Sequence, residues 1–186
     1  MVLKFRLISN EQDDFIRDFE VLDEQTFFQF HMAIQDNLHF DKSQIASFFV
    51  CNEKWEKEQE ITLFELSEEE NANVIVMDNA VIKDNISEVH DKMLYVFDVF
   101  NERLFFMELV EKSDTDPSKQ YPNCSFEQGH TPQQILMDSI FSTTKEFGNG
   151  PGLDDTFSAE ELLDVGGLDE LGYDQQYFDE SFPDEE

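Results

Sequence analysis

The chain has 186 residues, 43 of them acidic and 12 basic, which gives a formal net charge of −31. This much negative charge repels nucleic-acid phosphates and anionic lipid headgroups, so it argues against direct binding to nucleic acid or membrane. We expect a basic protein surface or cations as electrostatic partners, or a charge that serves solubility alone. The 20 phenylalanines and an apolar content of 40% are sufficient for a folded core.

Cysteine usage and the N-terminus indicate a cytoplasmic protein. Two cysteines, Cys51 and Cys124, are too few for a disulfide framework and share no metal-type spacing. The first residues lack the apolar run of a signal peptide, and no apolar stretch approaches the length of a membrane span. No phosphate-binding glycine motif is present, and we expect no cofactor.

The N-terminal part of the chain predicts a β-hairpin followed by a helix. Apolar and polar residues alternate over residues 3–7, and over residues 15–22 Phe15, Arg17, Phe19 and Val21 share one face of a second strand. The polar stretch between the two strands is typical of a turn. Thr26 is a candidate N-cap, with Gln29 as its capping-box partner. The apolar stripe predicted for this helix consists of Phe27, Phe30, His31, Ile34 and Leu38.

The middle of the chain predicts several more strands. The predicted strands cover residues 46–52, 60–66, 73–78, 92–98 and 103–111. Residues 67–71 are expected to form an acidic turn, and residues 84–89 one or two helical turns. A principal helix set among strands that are joined in hairpins defines an α+β fold, with residues 1–112 as its core domain.

The composition changes after this core domain. Residues 113–119 have the composition of a loop. Thr131 and Gln134 form a second candidate capping box, with Pro132 at the position that proline favours in a first helical turn. We therefore expect residues 113–150 to form a loop and an amphipathic helix that packs on or beside the core.

Residues 151–186 form a third, strongly acidic segment. They contain 13 Asp or Glu and no Lys or Arg, and Ser158 with Glu161 predicts a short helix within them. Acids interleaved with aromatic residues predict a segment that docks on a basic partner, or one whose aromatic side chains pack back on the protein's own sheet. The candidate partner-binding residues are Tyr173, Tyr177, Phe178, Phe182, Asp169 and Glu170.

Several short motifs resemble one protein family. The motifs are Phe15-Ile16-Arg17-Asp18-Phe19-Glu20-Val21, Phe30-His31-Met32-Ala33-Ile34-Gln35, Tyr95-Val96-Phe97-Asp98, and Tyr121-Pro122-Asn123-Cys124 followed by Gly129 and Pro132. They are similar to the plasmid open-reading-frame-three-like family, also described as insertion-element passenger TnpR-like proteins. The resemblance implies one principal helix packed on a mainly antiparallel sheet and an association with plasmids or transposons. It implies no assigned activity.

The chain departs from that family at polar positions. The family has Trp and His where this chain has Phe40 and Gln44. The family also continues its Tyr-x-Tyr-Asp motif as Phe-Gly-Asp-x-Trp-x-His, where the matching residues are Val99, Phe100, Asn101, Arg103 and Phe105. If those polar residues form a site in the family, the resemblance implies that this chain has largely lost it.

The sequence contains no recognisable catalytic or metal-binding pattern. The four histidines show no short ligand spacing, and His31 lies on the apolar stripe, which favours a core residue. Cys124 and His130 could form a thiol–imidazole pair, but no catalytic signature surrounds them. Cys51 lies in an apolar strand and is expected to be buried. We expect no enzymatic activity.

Three functions fit these observations. The first is non-enzymatic protein–protein interaction through the acidic C-terminal region. The second is an accessory protein that mimics nucleic-acid charge and occupies a DNA-binding partner, which requires ordered rows of carboxylates on the folded body. The third is an enzyme or metal-binding protein with an unrecognised site, which requires a concave site with converging polar groups. The sequence specifies neither the partner nor the oligomeric state.

Overall fold

The computed structural model describes residues 1–64 and 75–135. These residues form an α-helix and an eight-stranded, mainly antiparallel sheet, which confirms the expected α+β class. No helix in this part of the chain is long and apolar enough to cross a membrane. The turn predicted at residues 67–71 and the short helix predicted at Ser158 lie outside the described residues.

The first hairpin and the helix agree with their sequence signals. Strand β1 (Val2–Ser9) pairs antiparallel with β2 (Ile16–Leu22). Helix α1 (Phe27–Leu38) has its N-cap at Thr26, whose hydroxyl accepts from the Gln29 backbone N–H. The Gln29 side chain accepts in return from the Thr26 N–H, so the predicted capping box is confirmed.

The remaining strands agree with prediction in part. They are β3 (Ser47–Cys51), β4 (Lys57–Thr62), β5 (Ile75–Val76), β6 (Lys92–Asp98), β7 (Arg103–Ser113) and β8 (Asn123–Gln128). Strand β4 begins earlier than predicted because its start is fixed by pairing of Lys57 with Cys51. The helical turns expected at residues 84–89 are instead a 3-10 helix over Ile82–Asp84. The β8 residues were predicted as loop.

The sheet has the strand order β5-β4-β3-β6-β7-β1-β2-β8. All neighbours are antiparallel except β4 and β5, which run parallel. The N-terminal hairpin therefore joins the sheet beside β7, and β8 pairs with β2 at the edge. This arrangement brings the end of the described chain next to the first hairpin.

The sheet has two faces with different cores. The face that packs on α1, called the helix face, carries a large aromatic cluster in which the Phe30 ring lies 5.2 Å from Phe5 and 5.8 Å from Phe48. The opposite face carries a smaller apolar cluster, in which Trp55 meets Phe106 edge-on at 5.0 Å. Ten of the 15 phenylalanines in the described residues are buried in these two clusters, which explains the abundance of phenylalanine in this part of the sequence.

Thr131 does not begin a helix in the structure. Residues 131–135 are not helical, and the Gln134 side chain accepts from the Asp41 backbone N–H at 2.5 Å. The Thr131 hydroxyl accepts from Arg17 at 3.4 Å. The predicted helix start is wrong because both capping side chains bind core groups that are distant in sequence. The remainder of the predicted helix lies beyond the described residues.

Candidate functional site

Two of the family-like motifs meet in a buried polar cluster between α1 and β6. Gln35 Nε2 donates to the Tyr95 hydroxyl at 2.6 Å. The hydroxyl proton is then available to His31 Nδ1, which lies 2.8 Å away. All three side chains are at most 1% exposed. The cluster fixes the helix against a central strand and is closed to a substrate.

Burial keeps this cluster neutral. Desolvation, and secondly the charge of Lys42, lowers the pKa of His31 from 6.5 to about 4. Desolvation also raises the pKa of Tyr95. Neither group carries charge near neutral pH, as expected of a buried hydrogen-bonded pair. The prediction that His31 is a core residue is confirmed, whereas the roles of Gln35 and Tyr95 were not predicted.

Another family-like residue, Arg17 on β2, holds the end of β8 in place. Its guanidinium donates to the Gln128 carbonyl, to the Gly129 carbonyl at 3.2 Å and to the Thr131 hydroxyl at 3.4 Å. Gly129 has a φ of +69°, and a Cβ there would lie 2.3 Å from the Asp14 carbonyl oxygen. Arginine and glycine at these positions therefore have structural roles.

The other family-like positions meet at one end of the sheet, around a cleft of about 240 Å³. Gln44, in the loop before β3, lies on one side, and the turn at residues 98–101 between β6 and β7 lies on the other. Phe97 also lines the cleft, and its ring contacts Phe40 at 5.2 Å and Phe105 at 4.6 Å. Positions where the family has Trp, His, Gly and Asp thus converge here, and several are apolar in this chain. We treat this cleft as the candidate site.

The charged groups around the cleft are already paired. Asp98 accepts from the Asn101 backbone N–H at 3.0 Å and from its side-chain amide at 2.9 Å. Arg103 donates to both carboxylate oxygens of Glu11, at 2.8 and 2.7 Å. Within the described residues, the cleft therefore offers no unpaired acid or base for proton transfer.

Apolar side chains are exposed in the cleft. Phe100 is 52% exposed, Ile135 43% and Val99 39%. Exposed apolar groups gathered at one place favour contact with another apolar surface. The cleft is therefore better suited to an apolar side chain than to a charged substrate.

We expect Phe100→Lys to leave the free energy of unfolding within about 0.5 kcal/mol of wild type, because the side chain is already largely in water. Urea denaturation of the full chain measures this. A loss of about 2 kcal/mol or more would show instead that Phe100 is part of the core.

The two cysteines are free and have the protonation of inert thiols. Burial raises the pKa of Cys51 to about 12 and that of Cys124 to about 11. The Cys124 thiol donates to the Phe126 carbonyl at 3.2 Å. A nucleophilic cysteine requires a lowered pKa, so this environment argues against a reactive pair with His130.

Several acidic side chains on the sheet's opposite face are paired with basic ones. Arg6 forms two hydrogen bonds with Asp18, at 2.8 and 2.9 Å. Glu20 accepts from Lys119 at 2.9 and 3.1 Å, and Lys4 pairs with Glu111. In the described residues, no three His, Cys, Asp or Glu side chains are grouped as metal ligands would be.

The partner-binding residues proposed from the sequence lie in the C-terminal segment. Tyr173, Tyr177, Phe178, Phe182, Asp169 and Glu170 are all outside the described residues. The structure therefore brings residues that differ from the family motif together in one cleft. The partner-binding role of the acidic segment stays a prediction from the sequence.

The fold and the cleft define an α+β protein whose recognisable motif residues hold the fold together or line one apolar cleft. Residues 1–179 match the family model of the plasmid pRiA4b ORF-3-like protein, so the chain belongs to that family. No curated protein matches the sequence. The fold is similar to the crystal structure of MM3350 from Methanosarcina mazei Go1, a protein of unknown function, with a TM-score of 0.56 and 18% identity over 78% of this chain and 79% of that one. That likeness concerns the fold alone.

Proposed function

We propose that this plasmid ORF-3-like protein is a non-enzymatic interaction protein that binds a basic protein surface through its acidic C-terminal region. The observation that carries the proposal is the distribution of charge. Residues 151–186 hold 13 acids and no Lys or Arg, whereas the described residues hold 24 acids and 11 Lys or Arg. An unbalanced acidic segment attracts basic partners over distances of about a Debye length.

Ion pairs on β2 and β7 favour this function over nucleic-acid mimicry by that part of the sheet. A mimic needs rows of unpaired carboxylates, but Asp18, Glu20 and Glu111 on these strands each have a basic partner. The cleft likewise supports binding over catalysis, because its charged groups are engaged with each other. We place this activity in the cytoplasm, where the free thiols of Cys51 and Cys124 stay reduced.

Affinity capture from a lysate of the source organism tests the proposal. The tagged full chain is compared with a variant in which the six candidate residues become uncharged or small: Asp169→Asn, Glu170→Gln, Tyr173→Ser, Tyr177→Ser, Phe178→Ser and Phe182→Ser. We expect wild type to capture basic proteins and the capture to weaken as salt is added, because salt screens the charges. We expect the variant to capture about tenfold less, because it lacks the aromatic anchors.

A control variant changes the same types of residue on the folded body. Asp13→Asn, Glu24→Gln and Phe64→Ser replace exposed side chains outside the cleft, and capture should equal that of wild type. Equal capture by the C-terminal variant and wild type would remove that segment from the mechanism. Turnover of a captured small molecule by the purified chain would overturn the non-enzymatic assignment.

A further inference from the structure

Strand β8 (Asn123–Gln128) is an edge strand of the sheet that the described residues form. Its inner edge pairs with β2, and among the described residues no strand pairs with its outer edge. The strand contains no lysine or proline, the residues that commonly protect sheet edges, and its single charge is Glu127. A register shift opposite Asp18 and Phe19 bends it at Ser125. The edge can therefore accept a short extended segment.

A groove of about 480 Å³ runs between this strand and helix α1. Phe28, Met32 and Ala33 from the helix line it, with Pro122 and Cys124 on the strand side. These helix residues are only partly buried, and Phe28 and Ala33 pack against the main core. The groove thus combines a partly apolar lining with a nearby strand edge, which is the arrangement used when a peptide adds a strand to a sheet.

Two hydrogen bonds between the helix side and the strand side set the length of the groove. Gln25 Nε2 donates to the Tyr121 carbonyl at 2.8 Å, and Asn37 Nδ2 donates to Glu127 Oε1 at 2.7 Å. Helix α1, which runs along the groove, has 12 residues and spans about 18 Å. An extended chain advances about 3.3 Å per residue, so the groove accommodates about five residues.

The charge of the groove selects among peptides. Asp36, which pairs with Lys42, lines it and Glu127 lies at one end, whereas no Lys or Arg lines it. The chain as a whole carries −31. An acidic peptide is repelled by this surface, and a peptide with Lys or Arg beside its apolar residues is attracted.

We infer that the groove between α1 and β8 binds an extended segment of about five residues from a basic protein partner, by strand addition to β8. Side chains on alternate residues of that segment point toward the apolar lining, and the others point away. The inference rests on the proposed function, since it names the part of the partner that the folded body would recognise.

Selection of phage-displayed random octapeptides on the full chain tests the inference. We expect enriched peptides to carry Lys or Arg, with apolar residues at alternate positions. Met32→Lys should weaken binding of the enriched peptide by about tenfold or more, because it places a charge on the apolar lining. Phe64→Lys also introduces a lysine at an exposed apolar residue, but outside both the groove and the cleft, and should leave peptide affinity unchanged.

A backbone scan of the enriched peptide identifies the binding mode without altering the protein. N-methylation of a peptide amide removes one N–H donor, so affinity should fall by about tenfold at every second residue and little at the others. Amide exchange of residues 123–128 should slow when the peptide is bound. Equal binding to wild type and Met32→Lys, no alternation in the scan, or no enrichment at all would overturn the inference.

Other occupants and the failure of the proposed function give distinct results. A concentration-dependent dimer that Met32→Lys dissociates would make a second copy of the chain the occupant and overturn the peptide inference. If basic proteins are captured equally by wild type and Met32→Lys but not by the C-terminal variant, the proposed function is supported and the groove inference is overturned. If the groove binds the peptide but the C-terminal variant captures as much as wild type, the groove inference is supported and the proposed role of the C-terminal segment is overturned.

Discussion

Replacement of Arg17 by leucine is expected to lower the free energy of unfolding by about 2–4 kcal/mol, because buried hydrogen bonds from a charged donor contribute more than neutral ones. The side chain is only 6% exposed and donates to the Gln128 and Gly129 carbonyls, and its guanidinium carbon lies 4.5 Å from the Phe15 ring centroid. Urea denaturation measures the loss. Amide exchange should show that β8 residues lose protection before the rest of the sheet.

The variant Arg17→Lys separates charge from geometry. A lysine ammonium is a single compact donor group without the planar, branched shape of a guanidinium. It therefore cannot reproduce the hydrogen bonds to Gln128, Gly129 and Thr131 together. We expect it to recover less than half of the lost stability. Lys42→Leu, at an exposed ion pair with Asp36, is the control and should change stability by less than about 1 kcal/mol. Full recovery by lysine would show that only the charge matters.

The buried imidazole of His31 is expected to make the fold less stable in acid. The folded pKa of about 4 lies below the value of 6.5 for an unfolded histidine. Between those two values the unfolded chain holds the proton and the folded chain does not, so stability falls as the pH falls from 6.5 to about 4. The expected contribution of His31 is a loss of about 2–3 kcal/mol from about pH 7.5 to about pH 4.5.

A matched pair of histidine variants isolates this contribution from that of the carboxylates. His31→Asn keeps an acceptor for the Tyr95 hydroxyl but cannot be protonated in this range. The control is His39→Asn, an exposed residue that follows α1 with a φ of 56°, a conformation that asparagine tolerates. The pH-dependent loss of stability, measured by urea denaturation, should shrink in His31→Asn and persist in His39→Asn. The same loss in all three proteins would contradict the assignment.

Motif residues and cleft residues lie at different places in this family member. His31, Gln35 and Tyr95 match family motifs, yet they are enclosed between helix and sheet. Residues 98–101 and Gln44 lie at the cleft, where this chain departs from the family pattern. The groove at β8 involves another set of residues, so the cleft and the groove can be altered separately.

Local sequence signals predicted the elements that depend on neighbouring residues. The capping box acts within one element, and the hairpin of β1 and β2 involves only neighbouring residues. Both predictions are confirmed. The strand over Lys92–Asp98 was also predicted with its observed bounds, because its apolar run is uninterrupted. These features need no information about distant parts of the chain.

The sequence by itself therefore determined the fold class, the hairpins, the principal helix and the uneven charge. Only the tertiary structure decided the position of β8, the side-chain contacts of Gln134 and the convergence of Gln44 with residues 98–101. The physical reason is that a polar strand such as β8 is stabilised by backbone pairing with β2 and by Arg17, which its own residues do not encode. Long-range pairing likewise creates both the cleft and the groove.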